Sequence, residues 1–433
     1  MARPANLGEQ ILQTLTQADL LHLQYGATLL ASGGGGGFAT TGQVMASIVA
    51  LMNTQQKAVR LTGVDALADT DYGFDIAAIG KPSQSHYDHF EGSIKRVAQT
   101  YQKATGQTKI DFMMCGETGA NTFMAMLASL VLDVPMVDGD SAGRAIPTLG
   151  GSLYTANGLP FSPAAIANVP PPNSPYGDHE AVITGKTVDQ LSDSLRQAIT
   201  TPAYGGGVAT FATWGGSGAD LKLRGAYVGQ PSQPNKPYAT LCAGSVSFAI
   251  ALGAAIKGYL DRTPVVGRII SDLMDEINVV FGNGQTPKDP PAKVIIQGAI
   301  KAIKHPSNSP TGFDYGTMHI SANPGWAPQD IEVRFMNENI MAFDMATQQP
   351  IVMYPDIIGY LDDTFTPTTN SDGLKVGDQL TLIQIPARLT FKHGTNAQER
   401  TNLDDAAQAV RKTMKYTGRY LPVAPTHFHY PGE

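Results

Sequence analysis

The sequence predicts an α/β protein with a second, β-rich part. An N-terminal α/β domain with a mostly parallel or mixed sheet is followed by a β-rich domain in the C-terminal half. Three observations carry this. Residues 57–150 alternate short apolar runs with helical patterns, as βαβ units do. Beyond residue 314 the period changes to two, in short stretches separated by turns such as Asn323-Pro324-Gly325. A Pro- and Lys-containing loop at 286–292 marks where the texture changes. The expected domains are 1–300 and 301–433, the second carrying a C-terminal helix and tail.

Residues 8–31 have apolar positions at helical spacing. Ser32 and five glycines, Gly33 to Gly37, come next, and Thr40 or Thr41 can cap a helix over 42–52. A glycine loop that opens a helix can present backbone N–H groups to an anion or a carbonyl, which makes Gly34, Gly35 and Gly36 candidate substrate contacts. It is no phosphate loop, since no Lys-Ser/Thr follows and the segment before it is helical. The plainer alternative is a flexible linker.

Strands are expected at 58–62 and 75–79, the second ending at Gly80-Lys81-Pro82. In the polar loop after it, His86, Asp88 and His89 are weak metal-ligand candidates; solvent-facing side chains are the plainer reading. A helix at 91–104, a buried strand at 110–114, a turn at 115–120 and a helix to 132 complete the alternation. The apolar run 134–137 then breaks into Asp138-Gly139-Asp140-Ser141-Ala142-Gly143-Arg144. In open α/β sheets ligands sit outside the strand ends, so Glu117, Asn121, Asp138, Asp140 and Arg144 are expected to face one cleft. Helix capping and a local ion pair are the alternative roles.

Prolines concentrate over 160–175, which predicts a long irregular connection. Helices follow at 188–200, 241–256 and 268–281, the middle one built of small residues and therefore expected to pack closely on a neighbour. The 205–218 segment between them is glycine-rich and holds Trp214. Strands are expected at 314–321, 330–335, 340–343, 351–353, 357–361 and 379–385.

Composition narrows the class. The 433 residues are 42% hydrophobic and only 15% charged, which suits a folded protein rather than a disordered one. A net charge of −7 with no basic run argues against nucleic acid or an anionic membrane as partner. Two cysteines, Cys115 and Cys242, cannot form a disulfide framework or a Cys-based zinc motif. The N-terminus lacks a signal-peptide pattern and no stretch spans a bilayer, so a cytoplasmic location is expected.

Asp138 and Asp140 share a face if the segment is extended, and like charges so close raise one proton affinity, as a base and acid pair requires. Glu117 is a second candidate base. Arg144 is a candidate for binding a ring oxygen or a carboxylate. Cys115 is a candidate nucleophile only if a neighbour makes it a thiolate; a buried inert thiol is the plainer reading.

LLASGGGGG (29–37), GETGAN (116–121) and VDGDSAGRAIP (137–147) resemble the S-methyl-thiohydantoin desulfurase family, long filed with hydantoinase and oxoprolinase proteins. GSVSFAIALG (244–253), FMNENIMAF (335–343) and YPDIIGYLD (354–362) extend the resemblance in the same order over nearly the whole chain. It implies a two-domain α/β plus β protein, and Asn337 and Glu338, within the second of these strings, join the substrate-binding candidates. It also implies a hydrolase acting on a cyclic amide, imide or thiohydantoin-type ring, by C–N or C–S cleavage through acid–base chemistry. No cofactor is firmly implied. One variant has Glu117 and the aspartates binding Mg²⁺ or Mn²⁺, or Zn²⁺ with a histidine recruited. Another makes the chain a non-catalytic partner of a hydantoinase-type enzyme, and a homo-oligomer is expected.

Overall fold

The computed structural model describes residues 11–84, 90–170, 177–201, 204, 208–222, 240–282, 284, 291–307, 312–387 and 414. His86, Asp88 and His89 lie outside the described residues, as does nearly all of the expected C-terminal helix and tail.

The chain opens with β1 (Ile11–Thr14), α1 (Gln17–Leu30), α2 (Phe38–Gln55), β2 (Arg60–Thr62), β3 (Tyr72–Gly80), α3 (Phe90–Thr105), β4 (Phe112–Met114), α4 (Ala120–Leu132) and β5 (Met136–Val137). β2, β5, β4 and β3 are parallel neighbours, in that order, and form one half of a mixed eight-stranded sheet. The strands are short and largely apolar because both faces are covered. α4 shows this from the helix side, burying ten of its thirteen residues.

Two sequence expectations change here. Residues 11–14 are not the first turn of α1 but an edge strand pairing antiparallel with β2. A capping box stops the helix from extending backwards: Asp19 N–H donates to Thr16 Oγ1 (3.2 Å) and Thr16 N–H to Asp19 Oδ2 (2.8 Å). The 160–175 stretch is not all irregular connection either. It contains β7 (Ala164–Asn168), which pairs with β8 (His179–Ile183) and with β9 (Val208–Ser217). β9 lies within the glycine-rich 205–218 segment and runs antiparallel to both β3 and β7, at the interior of the sheet. Its small residues reflect tight packing: a Cβ on Gly215 would lie 1.9 Å from the Tyr72 hydroxyl.

β6 (Gly139–Asp140), α5 (Leu153–Ala156), α6 (Val188–Ile199), α7 (Gly218–Lys222), β10 (Cys242–Ala243), α8 (Ser245–Arg262) and α9 (Ile270–Phe281) complete the first part. α8 crosses α1 at van der Waals limit. A Cβ on Gly26 would sit 1.8 Å from Ala249 O, and one on Gly253 1.6 Å from His22 O.

The second part is an antiparallel eight-stranded sheet of β11 (Lys293–Lys304), β12 (Tyr315–Ala322), β13 (Asp330–Met336), β14 (Glu338–Asp344), β15 (Gln349–Met353), β16 (Ile357–Leu361), β17 (Pro367–Thr368) and β18 (Gln379–Ile385). β11 spans Lys293–Lys304, so the expected boundary at 300 falls inside a strand. Ile357, Leu361, Ile383 and Ile385 of this sheet join the apolar cluster that holds α1, α2, α4 and α8. Ile296, Met318, Ile320, Ile331 and Val333 build a second cluster within the sheet itself. The protein is therefore an α/β part and a β part sharing one core, in agreement with the fold class expected from periodicity.

Candidate active site

The glycine loop is where the two parts interlock. Ser32, Gly33, Gly35 and Gly36 all have φ between 54° and 91°, a left-handed path that glycine adopts without strain. The loop is stitched to the start of β14. Asn339 N–H donates to Ser32 O (2.6 Å), and Gly35 N–H donates to Glu338 Oε1 (3.1 Å). A Cβ on Gly34 would stand 2.5 Å from that same Glu338 oxygen, so the approach needs glycine for space. On its other side, Gly35 O accepts from Ala120 N–H (2.8 Å), the first residue of α4.

Beside this loop lies a cleft of about 710 Å³, open solvent at its mouth included. Gly35, Gly36, Glu117 and Asn121 line it from the first part, and Asn337 and Glu338 from the turn between β13 and β14. The cleft brings these six candidates together. Gly34 sits behind, against Glu338.

Glu117 is half-buried. Its Oε1 accepts from Asn121 Nδ2 and its Oε2 from Ile146 N–H, both at 2.6 Å. Asn121 in turn holds both backbone groups of Ala78 on β3, at 2.8 and 3.2 Å. Burial pushes the Glu117 carboxyl up to about 7, against the pull of those two hydrogen bonds. Glu338 is 2% exposed, and its Oε2 has no partner among the described residues. Burial, and then the Glu117 charge, raise it to about 8, with Arg144 opposing. Two carboxyl groups from different parts of the fold thus hold protons near neutrality in one cleft.

The Asp-Gly-Asp turn is built differently. Asp138 accepts from Ser247 N–H (3.0 Å) and Ser247 Oγ (2.5 Å), tying down the first turn of α8. Asp140 is fully buried and accepts from Thr118 Oγ1 (2.6 Å), Gly143 N–H (2.7 Å) and Ala142 N–H (3.4 Å). Neither lines the cleft. Arg144 is 1% exposed and donates to Ala145 O (2.8 Å), Pro355 O (2.8 Å) and Asp356 O (2.7 Å), with its guanidinium 4.7 Å from the Tyr354 ring centre. It braces the two parts against each other from behind the cleft. The Cys115 thiol is buried, donates to Glu117 O (3.1 Å) and is pushed well up by burial, the opposite of an activated nucleophile.

Among the lining residues that sequence reasoning did not single out are Asp75, Arg196 and Trp214. Arg196 donates from Nη1 to Gly80 O (2.9 Å) and Gly312 O (2.6 Å) and lies 3.9 Å over the Phe313 ring. Its signal was present, an arginine on the buried side of a helix whose Leu191, Leu195 and Ile199 point inward. Burial lowers it to about 10, still cationic at neutral pH, against the pull of Glu338 and Glu117. Asp75 was an acid inside an apolar strand. Among the described residues no group of three or more His, Cys, Asp or Glu could hold a metal ion, and no helix is long and apolar enough to cross a membrane.

Fold and site together define a two-part α/β and β protein whose cleft needs residues from both parts. The chain belongs to the S-methyl-thiohydantoin desulfurase-like family: residues 18–170 match the S-Me-THD-like N-terminal domain and residues 218–400 the S-Me-THD-like C-terminal domain. A crystal structure of a protein from Chromobacterium violaceum is similar with a TM-score of 0.69 at 22% identity, over 95% of this chain and 100% of that one, a likeness of fold. No curated protein matches the chain.

Proposed function

We propose that the protein is a hydrolase of thiohydantoin-type rings, working through acid–base chemistry between Glu117 and Glu338. The observation that carries this is the pair itself, two carboxyls of raised proton affinity facing one cleft from different parts of the fold. Their environments divide the roles. Both Glu117 oxygens accept strong hydrogen bonds, which favour the carboxylate; Glu338 has one oxygen without a partner among the described residues and keeps the proton.

For an S-alkyl-thiohydantoin, a water deprotonated by Glu117 attacks the ring carbon that bears sulfur. Glu338 protonates the adjacent ring nitrogen as the C=N bond becomes single. As the tetrahedral centre collapses, its hydroxyl proton passes to Glu338 and restores that acid, a double bond to oxygen forms, the C–S bond breaks, and the thiolate leaves with the proton from Glu117. The products are a hydantoin and a thiol. Arg196 supplies positive charge at the cleft wall. Asp138, Asp140 and Arg144 shape the surrounding turns in this reading and do not touch substrate.

The test is thiol release from S-methyl-thiohydantoin by the purified chain. We expect turnover, with Glu117→Gln and Glu338→Gln each lowering kcat by roughly 10²–10⁴ without loss of fold. The pH profile of kcat/KM should peak between about 7 and about 8, where Glu117 is ionised and Glu338 protonated. Activity that appears only on adding a hydantoinase-type subunit would favour a partner role instead.

A further inference from the structure

We propose that Asp75, Gly116 and Trp214 form the ring-binding corner of the cleft, which takes a planar, uncharged ring against the indole and engages one of its carbonyl or imine groups with the Asp75 carboxyl. This deepens the hydrolase reading and rests on it for the identity of the ring.

Three independent features converge on this corner. The first is a β-bulge. Gly73 pairs with Gly216 and Asp75 with Thr213, so Phe74 faces two residues, Trp214 and Gly215. Bulges re-aim side chains and gather beside active sites. The second is backbone strain. Trp214 has φ 51°, a conformation costly for a bulky residue and kept only where the surroundings demand it. Those surroundings are plain: the indole Nε1 donates to Thr155 Oγ1 (2.9 Å), and the ring meets Tyr154 edge-on at 5.8 Å. The indole is thereby held in place along the cleft wall.

The third feature is an orphaned oxygen. Asp75 is 1% exposed; its Oδ1 accepts from Gly116 N–H (2.9 Å) while Oδ2 has no partner among the described residues. A buried polar atom left unpaired costs about 1–3 kcal/mol, and a ligand group is a natural partner for it. Gly116 lets Asp75 and Trp214 close tightly on this turn. A Cβ there would stand 2.8 Å from Asp75 Oδ2 and 3.2 Å from Trp214 Cζ3. The φ of Gly116 is not in the left-handed region, so glycine serves here for space rather than conformation.

Charge sets the ligand's character. Burial, then the nearby Glu117, raise the Asp75 carboxyl well above the usual range, which favours a protonated Oδ2 that can donate to a ligand acceptor. Glu338, also lining the cleft, repeats the design: one oxygen on the Gly35 N–H, the other without a partner among the described residues. A ring carrying acceptors suits both, while an anionic ring meets three acids.

Calorimetric binding of hydantoin to the full-length protein tests the corner, with S-methyl-thiohydantoin turnover read in parallel. Asp75→Asn keeps a neutral donor and should bind within about threefold of wild type, whereas Asp75→Ala and Gly116→Ala should each weaken binding by about tenfold or more. The Asp75→Ala loss should appear in KM more than in kcat. Should Asp75→Ala fail to fold, Gly116→Ala and Asp75→Asn carry the test. Unchanged hydantoin affinity in Gly116→Ala, Asp75→Asn as weak as Asp75→Ala, or no binding by wild type would each overturn the proposal. If Glu117→Gln keeps full turnover while Asp75→Ala still loses affinity, the acid–base reading falls and the corner stands.

Discussion

Two pairs of buried or half-buried acids behave in opposite ways. Asp138 and Asp140 stand in a turn that looks built for catalysis, yet their oxygens accept hydrogen bonds from Ser247, Thr118 and Gly143. Glu117 and Glu338 are far apart in sequence and meet at the cleft, where burial holds their protons near neutral pH. The difference teaches that hydrogen bonding alone does not mark a catalytic acid, since both Glu117 oxygens are also held by protein donors. What separates the pairs is that Glu117 and Glu338 line the cleft and have raised proton affinity.

The sharpest way to break this comparison is to exchange the expected losses. Beyond the kcat loss set out for the glutamates, Asp140→Asn should cost about 1–3 kcal/mol in urea unfolding, because an amide nitrogen would face donors. The molecules that remain folded should turn over substrate near normally. A large kcat defect with unchanged stability would place Asp140 in the chemistry. Arg144→Lys against Arg196→Lys sharpens the same contrast among cations. Loss of the planar fork should lower stability by about 1–3 kcal/mol for the first, since it donates to three carbonyls in the core. For the second, the larger change should be a raised KM.

The smallest expected effect is in the pH dependence of stability. A carboxyl whose folded-state proton affinity exceeds its unfolded value stabilises the fold at low pH, and that stability is lost as pH rises through the folded pKa. Because Glu117 and Glu338 both bind their protons more tightly in the folded chain, stability should decline between about 4.5 and about 8. A tenfold gain in proton affinity on folding corresponds to about 1.4 kcal/mol. Glu338→Gln should flatten the slope, raising the melting temperature at pH 8 relative to wild type. A wild-type melting temperature that rises across this window would contradict the burial of both protons.

Much of this was legible in the chain. Helical spacing placed α2, α3, α4, α6 and α9, and period-two alternation placed most of the second sheet, because burial on one face imprints a repeat on sequence. The small residues of α8 announced close packing on a neighbour, which is α1. The failures share a cause as well. β7 and β9 are small-residue strands at the interior of a sheet; with both faces covered they lack alternation, so the prolines around β7 and the glycines of β9 read as loop. β11 was passed over beside the proline-rich loop that precedes it.

For the site, the sequence by itself determined the inventory and part of the address. It marked a glycine loop, a strand-end glutamate with its asparagine, and an Asn-Glu pair in the later strands. Only the tertiary structure decided which acids face the cleft. Hydrogen-bond saturation depends on donors that arrive from elsewhere: Ser247 on α8 for Asp138, Thr118 for Asp140. Desolvation likewise belongs to the assembled protein, since Glu338 becomes a proton-holding neighbour of Glu117 only when β14 closes on the glycine loop. Composition and spacing are local properties of a chain; burial and the partners of a buried group are not.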